Sequence, residues 1–172
     1  MIRWIALAAA YLACITVHEF GHALAVWGCG GQVQEFAIFA WPPHVTPAGS
    51  FTDAQLSFIS LAGSGLFFAL WFPFMLLAQD TNEDNVMVFA SSVCAMQEAA
   101  VWVLGAVLSP TLFSNVDAAK FVARSGASRA LVALLAAIVG LLAWRLAAVR
   151  QPGSIRASFW VYCLAWNLAV WR

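Results

Sequence analysis

The sequence predicts an all-α polytopic membrane protein: a bundle of four to five transmembrane helices with a short membrane-associated β-hairpin after the first helix. Three observations carry that expectation. Of the 172 residues, 63% are hydrophobic and 9% charged, with a mean hydropathy of +0.85, whereas a soluble domain carries about a quarter charged residues. Four apolar segments are long enough to cross a bilayer. One stretch, residues 32–51, interrupts the apolar pattern with three prolines.

The first apolar segment covers about residues 2–27 and as a helix would be about 39 Å long. Arg3 followed by Trp4–Ala13 has the look of a signal peptide. The run continues through His18–His22 to Trp27 without a polar mature start, so a retained spanning helix is expected. Gly28, Gly30 and Gly31 end it. In Gln32–Phe51, Val33, Phe36, Ile38 and Val45 mix with polar residues, while Pro42, Pro43 and Pro47 exclude a helix. A strand pair there must lie against protein or water, and an open edge could accept an extended substrate; an ordinary connecting loop is the alternative.

The second segment runs from about Leu56 to Ala78, and Gln79–Asn85 is polar and acidic. The third is Val86–Leu108, stopped by Ser109-Pro110. A fourth covers Ala130 to about Val149. The last, Phe159–Trp171, is short for a span, so it crosses with its flanks or lies in the interface. No repeat or linker marks a second domain, so residues 1–172 form one integral membrane domain.

Eight basic and eight acidic residues cancel, no basic cluster occurs, and nothing points to nucleic acid. Positive charge does not settle orientation. One choice puts Arg3, Arg145, Arg150 and Arg156 in the cytoplasm; the other puts Lys120, Arg124, Arg129 and Arg172 there. Cys14, Cys29, Cys94 and Cys163 lack CxxC spacing and read as small packing residues.

The chemistry concentrates in His18-Glu19-Phe20-Gly21-His22. Residues four apart share a helix face, so His18 and His22 can direct nitrogens to one cation. Glu19 is offset by one position and can reach a metal-bound water as general base. Catalytic zinc takes three protein ligands, so another must come from elsewhere. Glu35, His44 and Asp53 lie in the loop after the first helix, Glu98 inside the third segment, and Asp117 beyond it.

Depth narrows the choice. With alternating spans, His22, His18 and Glu98 lie roughly 8, 14 and 15 Å from the same helix end. Glu98 could be a third ligand, an acceptor for an imidazole N–H, or a proton relay. Asp117 could turn back after Pro110, or Ser114-x-x-Asp117 could simply be a capping box with Ser114 as N-cap. Residue chemistry alone leaves Asp117 and Glu98 equal.

A His-Glu-x-x-His motif in an N-terminal membrane helix resembles the site-2 protease family of intramembrane zinc metalloproteases. Leu61-Ala62-Gly63-Ser64 is similar to that family's Ala-Gly-Pro element, and Asn115-Val116-Asp117 to its Asn…Asp-Gly element. The segment 32–51 stands where the family carries a membrane-associated β-hairpin. The likeness covers about residues 5–125, a three-helix core, and leaves 126–172 as additional C-terminal helices. Ser64 stands in place of the usual proline, the asparagine expected soon after is missing, Ala118 replaces glycine, and no PDZ domain fits between the second and third spans.

The resemblance implies one Zn2+ per chain held by His18, His22 and Asp117, in preference to Glu98 as third ligand. It implies Glu19 as the base, a cytoplasm-facing site with the N-terminus outside, and a membrane protein substrate with a transmembrane helix. The zinc would acidify a bound water, and Asn115 would either bond the developing oxyanion or cap the next helix. The expected setting is the lipid bilayer of a prokaryotic inner membrane. Two alternatives stay open: a metal-binding protein without turnover, and a pseudoprotease that holds a partner helix. A bis-histidine haem site is not expected: histidines four apart on one helix cannot take opposite axial positions, and only His44 remains as a partner.

Overall fold

The computed structural model describes residues 2–40, 42–78, 86–108 and 116–150. The element order is α1 (Ile2–Gly28), β1 (Gln32–Ala37), β2 (His44–Ala48), α2 (Asp53–Leu77), α3 (Val86–Leu108), α4 (Asp117–Ser125) and α5 (Arg129–Arg150). Four of these helices hold segments long and apolar enough to cross a membrane: Ala8–Gly28, Asp53–Leu77, Met87–Leu108 and Arg129–Leu146. Large apolar side chains such as Leu70, Leu77, Leu134 and Leu141 stay exposed on their outer faces, as expected where lipid is the solvent. The segment Phe159–Trp171 and Cys163 lie outside the described residues.

α1 ends in a Schellman turn. The Gly31 N–H bonds the Val26 carbonyl and the Gly30 N–H bonds that of Trp27. Gly30 takes φ 79°, which a side chain would resist. The chain then enters an antiparallel hairpin pairing Gln32 with Ala48, Phe36 with Val45 and Ala37 with His44, with a register irregularity between Val33 and Glu35. The strand pair expected from the proline-rich segment is therefore present. Val33 and Phe51 pack on Ala25, Val26 and Ile59, which fastens the hairpin to α1 and α2.

α2 begins three residues before the apolar run because Thr52 and Gln55 form a capping box. Its small residues Ser57, Ser60, Gly63 and Ser64 are all buried. At the α1–α2 crossing, a Cβ on Gly21 would lie 2.9 Å from the Gly63 Cα, so only glycine admits this approach. α3 packs against α1 and α5, and its Val88, Cys94 and Ala95 join Phe67, Trp71 and Met75 of α2 and Ala143 of α5 in one core.

α4 folds back onto α2 and α3. Its Ala118 and Val122 pack with Trp102 and Ala106 of α3 and Val132 of α5. It starts at Asp117 with Val116 as N-cap and no side-chain cap bond; Ser114, the cap that the Ser-x-x-Asp spacing suggested, lies outside the described residues. From this first turn the Asp117 carboxylate reaches across to α1.

Candidate metal centre

His18 and His22 stand one turn apart on α1, their rings nearly perpendicular and 4.8 Å between centroids. Their Nε2 atoms are 3.0 Å apart. Asp117 Oδ2, arriving from the start of α4, lies 3.1 Å from His22 Nε2 and 3.4 Å from His18 Nε2. These three side chains alone form a potential metal-binding cluster among the described residues. All are mostly shielded, with side-chain exposures of 14%, 9% and 25% for His18, His22 and Asp117.

The other ring nitrogens explain the convergence. His22 Nδ1 lies 2.6 Å from the Ile59 carbonyl. A carbonyl only accepts, so Nδ1 carries the hydrogen and Nε2 presents a lone pair. His18 Nδ1 is 3.1 Å from Glu98 Oε1, close enough for charge pairing although its N–H is not aimed squarely at that oxygen.

Two imidazole nitrogens and a carboxylate oxygen thus share one small space, an arrangement able to hold a cation between them. Zinc bound at 2.0–2.1 Å with tetrahedral angles separates its ligand atoms by roughly 3.3 Å, which the 3.0–3.4 Å spacings match. The donor set fits a transition metal with borderline-soft preference.

Gly63 of α2 leaves the room for this. A Cβ there would fall 2.7 Å from His22 Cε1 and 2.8 Å from His18 Nε2. Lys120, one turn along α4, adds a cation 3.9 Å from Asp117 Oδ1.

A cavity of about 560 Å³ contains this cluster. Glu19 lines it and is itself buried. α1, α2 and α3 supply apolar walls at Ile15, Phe67 and Val101, and Pro42, Pro43 and Val45 of the hairpin also line it. Lys120 and Arg124 of α4 complete the lining.

Glu98 therefore meets the face of His18 opposite the convergent nitrogens. Of the remaining carboxylate and imidazole candidates, Glu35 and His44 pair with each other at 3.5 Å in the hairpin, and Asp53 occupies the exposed first turn of α2. Asn115 lies outside the described residues. Sequence reasoning missed the Ile59 carbonyl, which no side-chain pattern can signal, and Trp102, which nothing separates from the other eight tryptophans except its position one turn after Glu98.

Comparison with protein-family models, with curated proteins and with solved structures finds no match for this chain. The functional reading rests on the geometry of the site and on its motif.

Proposed function

We propose that this protein is an intramembrane zinc metalloprotease of the site-2 protease type, hydrolysing peptide bonds within or near transmembrane segments of membrane protein substrates. The observation that carries the proposal is the convergence of His18 Nε2, His22 Nε2 and Asp117 Oδ2 in a cavity that the buried Glu19 also lines. A structural zinc site would be closed by four protein ligands, whereas three leave a position for chemistry.

His18, His22 and Asp117 would hold one zinc ion. When bound, that ion would supply an acidified water and a polarised peptide carbonyl. Glu19 takes the proton of the attacking water and returns it to the leaving nitrogen. Asn115 is the candidate donor to the developing oxyanion. The hairpin wall at Pro42, Pro43 and Val45 gives an unwound, extended substrate a surface beside the metal cluster. The apolar walls from α1, α2 and α3 suit side chains of a transmembrane segment, and they limit how much water reaches the site.

The test is cleavage of a transmembrane reporter peptide in proteoliposomes. A chelator should abolish it and stoichiometric Zn2+ should restore it. Cleavage indifferent to chelation, or none with a fully zinc-loaded protein across a broad set of reporters, contradicts the proposal. The second of these outcomes favours a metal-binding protein without turnover.

A further inference from the structure

We propose that Glu98, Ser64 and Trp102 form a positioning chain that fixes the imidazole of His18 for metal binding. The inference rests on the metal-centre reading above and assigns residues that the His-Glu-x-x-His motif does not contain.

Both oxygens of Glu98 are engaged. Oε1 lies 3.1 Å from His18 Nδ1, and Oε2 accepts the Ser64 hydroxyl at 2.7 Å. Ser64 Oγ in turn accepts the Trp102 indole N–H at 2.7 Å. Ser64 and Trp102 are 4% and 7% exposed, so these bonds form away from water and orient strongly. Glu98 and Trp102 are one turn apart on α3, which sets them on one face. The chain thereby joins all three core helices at the level of the metal cluster.

The direction of the bonds matters. An indole nitrogen can only donate. Ser64 receives that hydrogen and donates its own to Glu98 Oε2, which leaves Oε1 beside His18 Nδ1 at 3.1 Å. In the proposed chain that carboxylate oxygen favours the hydrogen on Nδ1, so that Nε2 presents its lone pair to the cation, as the Ile59 carbonyl arranges for His22. A carboxylate inside an apolar helix is costly, and the contact with His18 gives it a role a hydrophobic residue could not fill.

The same chain accounts for Ser64. Proline, the residue expected there from the family resemblance, has no hydroxyl to bridge Glu98 and Trp102. Ser64 and Glu98 therefore work as a pair, and the departure from the pattern is part of how this site is built.

The experiment measures apparent zinc affinity by chelator competition, and the visible spectrum of the Co2+-substituted protein, on full-length chain in detergent. Glu98→Gln should weaken zinc binding by about 10–100-fold, the usual loss on removing such a partner, and shift the cobalt bands. Ser64→Ala and Trp102→Phe should shift affinity and spectrum the same way by less. Ser64→Ala combined with Glu98→Gln should be no worse than Glu98→Gln alone.

Wild-type affinity and an unshifted spectrum in Glu98→Gln overturn the proposal, even if the variant melts earlier, because that pattern marks a purely structural staple. If Glu98→Gln does not fold, Ser64→Ala decides by the same two readouts. A wild-type protein that takes up neither metal overturns the metal-centre reading and this inference with it. Metal binding that none of the three variants alters overturns this inference alone.

Discussion

The Nδ1–H of His22 is tied to the backbone carbonyl of Ile59 at 2.6 Å, and that bond turns the opposite nitrogen of the ring towards His18. A helix–helix contact between α1 and α2 is thus also the device that orients the His22 ring within the cluster. It depends on Gly63, beside which both rings lie.

Gly63→Ala should accordingly disrupt the site. Its Cβ would meet His22 and His18 at distances no relaxed contact allows, and such overpacking costs about 1–3 kcal/mol. Gly65→Ala, where nothing lies within 4 Å, should be neutral or slightly stabilising. Thermal melting and zinc stoichiometry of the two variants check this; equal behaviour would contradict the close approach.

Asp117→Asn should lower zinc affinity by more than the roughly 10–100-fold that loss of an outer partner costs, because it removes a direct ligand and its charge. At saturating zinc, Glu98→Gln should still bind one ion per chain. Equilibrium dialysis with metal analysis separates the two carboxylates. Full zinc in Asp117→Asn together with none in Glu98→Gln would reverse the assignment.

Glu19→Gln should retain zinc and lose at least about 10²–10⁴-fold in cleavage rate, the contribution of a positioned general base. Single-turnover cleavage of a reporter, with metal content measured on the same sample, tests it. Unchanged cleavage would remove Glu19 from the chemistry.

At the hairpin, the Pro42 carbonyl bonded to His44 Nδ1 at 3.0 Å and the Glu35 carboxylate raise the His44 pKa. The sign follows: the contribution of charged His44 is fully present below its unfolded value of about 6.5 and is lost as pH rises through the higher folded value. NMR titration of His44 should give a midpoint above that reference, lowered in Glu35→Gln. A midpoint at or below the reference in the wild type would contradict the pairing.

Much of this architecture was legible because the physics is local. Apolar length marked the four long helices, and the prolines at 42, 43 and 47 marked the strand pair. Histidines four apart had to share a face. Thr52-x-x-Gln55 also stood in plain view as a capping box, yet hydropathy alone put the start of α2 at Leu56 because polar first turns escape an apolar count. The choice between Asp117 and Glu98 was not legible from residue chemistry. It depends on which side of the His18 ring each carboxylate approaches, and that is set by α4 folding back across the bundle. The Ser64–Trp102 bond was hidden for the same reason, since it joins residues 38 positions apart.

X-ray absorption at the zinc edge, on protein purified with its metal, tests the central claim most directly. The account predicts one zinc per chain with two imidazole nitrogens at about 2.0–2.1 Å and carboxylate oxygen at about 2.0–2.2 Å. Sulfur neighbours at about 2.3 Å, or purified protein carrying no zinc and taking none up, would contradict it.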